Sequence, residues 1–159
     1  DYKQGGTPQT AFSVGLRYSS PKYWWVGANW NYLDDNYLDP SAIMRSENFV
    51  QNPNSGTPYN DISESEVRRL LKPNKLPSAY FFNANVGKSW VLGKYYVLIS
   101  ASVNNIFDNT KYITGGFEQT RNIKYDTFSV DYDRATSLFG PKYWYTQGRS
   151  YFVNLQFRF

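Results

Sequence analysis

Ser150-Tyr151-Phe152-Val153-Asn154-Leu155-Gln156-Phe157-Arg158-Phe159 is the stretch that decides the fold. Side chains along a strand point alternately to its two faces, so Tyr151, Val153, Leu155, Phe157 and Phe159 share one face, and Asn154, Gln156 and Arg158 most of the other. Only Phe152 breaks the alternation. A strand with one apolar and one polar face fits the boundary between a soluble core and water, or between lipid and the lumen of a transmembrane barrel.

Four further segments repeat the pattern. Residues 10–18 set Phe12, Val14, Leu16 and Tyr18 against Ala11, Ser13, Gly15 and Arg17. Residues 23–33 set Trp24, Val26, Ala28, Trp30 and Tyr32 against Trp25, Gly27, Asn29 and Asn31. Strands are expected over both, joined at Ser19-Ser20-Pro21-Lys22, and again over 79–90 and 95–104, joined at Val91-Leu92-Gly93-Lys94. The terminal strand is expected over about 147–159. Between the hairpins the alternation dissolves into polar excursions over 34–78 and 105–146. Within the first, Ser63-Glu64-Ser65-Glu66 reads as a capping box opening a short helix from Glu64 to Leu71, stopped by Pro73.

Composition narrows the function. Aromatic residues make up 19% of the chain, yet mean hydropathy is −0.61 because Tyr and Trp sit among many Asn, Asp and Ser. Amphipathic rings collect where an apolar phase meets water: membrane interfaces, sugar-binding clefts and protein interfaces. With no histidine and no cysteine, the usual general base and the usual zinc ligands are missing, and no residue constellation supports an enzyme. A net charge of +4 with scattered Lys and Arg gives no basic stripe for nucleic acid. No apolar run reaches a membrane helix, and no export signal opens the sequence, so an exported form would carry its signal outside this stretch.

Short turns alternating with long loops match an outer-membrane barrel, whose periplasmic turns are tight and whose extracellular loops are large. The expected fold is all-β: five antiparallel transmembrane strands forming part of a larger barrel, since five strands cannot close one. The mid-strand outward candidates, Val14, Leu16, Val26, Ala28, Ala84, Val86, Val97, Ile99, Ala101, Val153 and Leu155, carry no charge. Aromatic girdles are expected from Tyr18, Trp24, Trp90, Tyr95 and Phe159 at the turn side, and from Phe12, Trp30, Tyr32, Tyr80 and Tyr151 at the loop side.

Three groups of residues carry a family resemblance: 13–18 with 20–27, Val103-Asn104-Asn105-Ile106-Phe107-Asp108-Asn109, and Gly140-Pro141-Lys142-Tyr143-Trp144-Tyr145 leading into Phe157-Arg158-Phe159. Together they resemble the C-terminal end of TonB-dependent outer-membrane receptors of Bacteroidetes-type bacteria (SusC/RagA-like or related). The resemblance spans essentially the whole chain and implies the C-terminal segment of a barrel of about 22 strands with an N-terminal plug. It implies uptake of a scarce nutrient, such as a glycan or metal chelate, across the outer membrane, with no cofactor. The partners implied are the remaining barrel strands and plug of the same receptor, outer-membrane lipid and the barrel assembly machinery. TonB would be reached only through N-terminal parts absent here, and a surface lipoprotein lid is a further partner the resemblance allows. In the same reading Tyr151, Val153, Leu155, Phe157 and Phe159 form the C-terminal assembly signal.

In the loops, Tyr112, Arg121, Trp144 and Arg149 are the candidate ligand contacts, rings beside polar donors; packing of the loops upon themselves is the competing role. The acidic groups Asp34-Asp35-Asn36 with Asp39, and Asp131 with Asp133, lack the spacing of a calcium loop and are expected to be solvated. Two other function classes fit the pattern: a soluble all-β carbohydrate-binding or adhesion module with a sandwich core, and a barrel scaffold that transports nothing.

Overall fold

The computed structural model describes residues 3, 5–40, 42–117, 121 and 123–159. Five long strands carry most of the regular structure: β1 (Thr10–Ser20), β2 (Trp24–Asp34), β5 (Ala79–Leu92), β6 (Tyr95–Asn104) and β9 (Ser150–Arg158). They form one antiparallel sheet in the order β1-β2-β5-β6-β9, so each long strand pairs with the next long strand along the chain. The fold is all-β in class. Two-stranded pairs form between β3 (Tyr37–Leu38) and β4 (Asn74–Lys75), and between β7 (Tyr112–Gly116) and β8 (Lys142–Tyr145).

Register keeps the two faces distinct across all five strands. Leu16 lies opposite Ala28, Ala28 opposite Ala84, Ala84 opposite Val103 and Val103 opposite Tyr151. The neighbouring row runs Tyr18, Val26, Val86, Ala101, Val153. A slip of one residue in any strand would carry its apolar side chains to the polar face, so the alternation itself fixes the pairing.

Both short connections are tighter than the sequence pattern indicates. β5 runs on to Leu92 and only Gly93 and Lys94 form its turn. Gly93 has φ +64°, as a two-residue hairpin turn of the II′ kind requires at its first position. Between β1 and β2 the turn is 21–23, with Tyr23 at φ 60°. This left-handed conformation costs a non-glycine residue roughly 1–2 kcal/mol, and β5 holds it in place: Ser89 N donates to the Tyr23 carbonyl at 2.9 Å. The last strand begins at Ser150 rather than 147.

The chain divides into two compact units, which the sequence reading treats as one domain. One is the sheet with its short turns. The other joins 1–8, 35–76 and 112–144, and among the described residues it holds nearly all of the buried apolar side chains: Leu38, Met44, Phe49, Leu70, Leu76, Ile123 and Phe128, leaving only Ala79 to the sheet unit. The two polar excursions are therefore not structureless. Helix α1 (Glu64–Leu70) forms as expected, with Ser63 Oγ accepting from Glu66 N at 3.2 Å. The Glu66 carboxylate is turned onto Arg69 at 2.8 Å, so Glu66 does more than cap. Helix α2 (Tyr125–Tyr132) and two 3-10 turns, Ala42–Arg45 and Glu47–Phe49, are additions to the sequence reading. Phe49 and Phe128 meet edge to face at 6.0 Å in the centre of this unit.

Candidate functional site

The sheet leaves much of its apolar face exposed. On its apolar face Leu16 is 79% exposed, Val153 71% and Leu155 67%, and even on the central strands Val26, Val86 and Ile99 are exposed. On the opposite face Asn29, Asn31, Asn83, Ser100, Ser102 and Asn154 are half-buried, whereas Ser13, Asn85 and Gln156 are exposed. A folded monomer of this mass is expected to show solvent about 8,200 Å²; the chain shows 11019 Å². The exposed apolar strand face contributes to this excess.

Rings bracket that surface. Toward the loop end Phe12 packs on Trp30 at 5.7 Å and Trp30 on Phe82 at 6.1 Å. Toward the turn end Tyr18 packs on Trp24 at 5.3 Å and Tyr95 on Phe157 at 5.7 Å. Between them lies an aliphatic band of Leu16, Val26, Ala84, Val86, Ala101, Ile99 and Leu155. One charge falls on this face, which the alternation passes over: Lys88, opposite Trp24 and Ile99. Its ammonium leaves the band, donating to the Lys22 carbonyl at 2.7 Å and standing 5.8 Å from the Trp90 ring. A long side chain that keeps its stem in apolar surroundings and its head at the polar edge is snorkelling.

The polar face is built by small residues yielding to large ones. Trp25 lies flat across Gly87, where a Cβ would fall inside the indole, and the Arg17 guanidinium stands 5.2 Å over the same ring. Glycine is required at 87 by this close approach and not by backbone angle.

The stretch Val103–Asn109 has a structural task the sequence reading missed. Asn105, buried at φ 54°, donates from its backbone to Asn83 Oδ1 at 2.9 Å. Its side chain accepts from Asn109 N and donates to the carbonyls of Asn109 and Gln147. Asn109 Nδ2 donates to the Tyr80 carbonyl, and Asp108 Oδ1 accepts from Arg149 N at 2.7 Å. This knot ties the end of β6 to β5 and to the approach to β9. A run of Asn and Asp just past a strand was the available signal, since these side chains satisfy turn backbone and tolerate left-handed φ.

The candidate ligand contacts fall in both units, Arg121 and Trp144 in the loop unit and Arg149 in the sheet unit. Trp144, in β8, is 58% exposed and passes over Gly116. Arg121 is exposed with its guanidinium 5.8 Å from the Phe139 ring. Arg149 belongs to the other unit, its backbone held by Asp108 and its side chain exposed. The side chain of Tyr112 lies outside the described residues. On β9, Tyr151, Val153, Leu155, Phe157 and Phe159 form one exposed apolar row, and among the described residues β9 pairs on its β6 side alone.

The acidic residues are engaged separately. Asp35 pairs with Lys75 at 2.7 Å and Asp39 with Arg45 at 3.2 Å, while Asp133 pairs with Arg69 at 3.1 Å. Asp131 corrects the expectation of a solvated carboxylate. It is 2% exposed and accepts from Ser137 Oγ, Leu138 N and Phe139 N at 2.6, 2.9 and 2.7 Å. Burial pushes its pKa up, but these three donors and nearby Arg134 outweigh burial and hold it below the ordinary carboxylate value. Among the described residues no three carboxylates converge as metal ligands, and no helix is long and apolar enough to cross a membrane.

No family model, no curated protein and no solved structure matches the chain.

Proposed function

We infer that this chain is part of an integral outer-membrane β-barrel of the TonB-dependent receptor type, which takes up a scarce nutrient across that membrane. The single observation that carries the reading is the exposure of the sheet's apolar face: aliphatic side chains bare at Leu16, Val26, Val86, Ile99 and Leu155 between two sets of rings, with neutral amides and hydroxyls on the face behind them. Lipid facing the band would account for its exposure, and a wet or plugged lumen for the neutral polar face. Lys88 supports the same reading, because a cation at the bilayer midplane costs roughly 2–4 kcal/mol and almost nothing at the interface it reaches. Strand edges cannot stand open in lipid, so β1 and β9 would pair with further strands of a longer receptor. A soluble sandwich would need the opposite exposure, its apolar face dry.

The absence of native cysteine makes the test direct. Single cysteines at Leu16, Ile99 and Leu155 should react with a lipid-soluble maleimide in whole cells and resist a charged one; cysteines at Asn29, Ser100 and Asn154 should show the reverse. Equal reaction of Leu16 and Asn29 positions with the charged reagent would overturn the reading. In the same framework the exposed row ending at Phe159 serves barrel assembly, and removing Phe159 should lower the amount of receptor in the outer membrane.

A further inference from the structure

The unit formed by 35–76 and 112–144 contains a cavity of about 700 Å³, within the size range of small-molecule sites. Its floor is apolar, from Leu70 and Phe128, and its walls carry the rings of Tyr37, Phe117 and Tyr132. Its polar groups come largely from one short segment, Lys72-Pro73-Asn74-Lys75, where Pro73 ends α1 and puts two ammonium groups and an amide on the rim. Among the described residues no carboxylate lines it. The surrounding acids are committed elsewhere: Asp35 to Lys75, Glu66 and Asp133 to Arg69, and Asp131 to the 137–139 backbone and Ser137. Ser137, which also lines the cavity, gives its proton to Asp131. Among the described residues no carboxylate pairs with Lys72, so Lys72 is the rim cation left uncompensated.

We propose that this cavity binds a small anion whose body carries a ring, with its acidic group on Lys72 and its ring face against the aromatic wall. Rings accept the CH face of a sugar or the face of an arene equally well, so the shared chemistry is an acidic group on a ring. The inference concerns this unit alone and holds whether or not the sheet lies in lipid.

Calorimetric titration of the whole chain, in detergent micelles and in plain buffer, with two matched pairs tests it: glucuronate against glucose, and benzoate against benzamide. At least one acid should saturate and bind about tenfold or more tighter than its neutral partner. Lys72→Met should lower that acid's affinity by about tenfold, while Lys72→Arg keeps it within about threefold. Raising NaCl from about 0.05 to about 0.5 M should weaken acid binding to the unmodified protein by about threefold or more, a readout that needs no variant to fold. Failure of both acids to saturate, equal affinity for acid and neutral partner, or indifference to salt would each overturn the proposal.

Discussion

Asn105 and Asn109 close on each other through both ends of one amide: Asn105 Oδ1 accepts from Asn109 N at 2.9 Å, and Asn105 Nδ2 donates to the Asn109 carbonyl at 2.9 Å. The same Nδ2 also reaches the Gln147 carbonyl, so one buried side chain bridges the two ends of the 105–149 connection. Alanine there would strand the Asn109 N–H and put an unfavoured φ on a Cβ-bearing residue without its local bonds. Asn105→Ala should lower stability by about 2–3 kcal/mol, read as a fall in the thermal midpoint in micelles. Hydrogen exchange at Asn109 should accelerate in step; an unchanged rate would show that the contact carries nothing.

Gly87 exists for Trp25. A methyl at 87 displaces the indole and with it the surface on which Arg17 stacks, so Gly87→Ala should cost about 1–3 kcal/mol by overpacking. Trp25→Ala removes the obstacle, and the double variant should be more stable than the two single costs added together predict. Simple additivity in a denaturation series would mean that the ring already lies clear of 87.

The strands were legible because a period of two survives any tertiary detail: Val14, Leu16 and Tyr18 cannot share a face in another regular structure without bringing Arg17 with them. The folded excursions were hidden for a different reason. Their core residues Met44, Phe49, Leu70, Ile123 and Phe128 are scattered through both excursions and meet only in three dimensions. Helix α2 is the clearest case. Its inward positions are Phe128 and Asp131, three apart, so half of the buried face is a carboxylate, and Lys124 at its start supplies no side-chain cap. Neither apolar periodicity nor a start signal marks it. Of the candidate site, the two faces could be read from the alternation, whereas the Lys72 cavity needed residues from both excursions in one place.

Asp131 gives the loop unit a definite acid limit. Its folded pKa lies below the ordinary value, so its stabilisation is complete above the unfolded pKa of about 3.9 and is lost as pH falls through the lower folded value. Amide protection at Leu138 and Phe139, corrected for intrinsic exchange, should hold from neutral pH to about pH 4 and collapse below it. Asp131→Asn turns an amide donor toward groups that themselves donate. The variant should be less protected at every pH, with a flatter acid profile, and a profile identical to that of the parent would exclude Asp131 as its source.

Leu16 and Asn154 distinguish lipid from water most economically. Leu16 is mid-strand on the apolar face and 79% exposed, whereas Asn154 is half-buried on the other face. In a soluble module an arginine at so exposed a position would change stability by no more than about 0.5 kcal/mol, and would improve solubility. Facing hydrocarbon, Leu16→Arg should cost about 2–4 kcal/mol and reduce the amount of receptor recovered in the outer membrane. If the polar face lines an aqueous lumen, Asn154→Arg should leave that amount near the parent's. Both variants belong in the longest form of the protein that contains this segment, with outer-membrane yield and heat-induced gel shift as readouts. A well-tolerated Leu16→Arg would remove the physical basis for a lipid-facing sheet, because no other feature of the chain asks for so bare an aliphatic band.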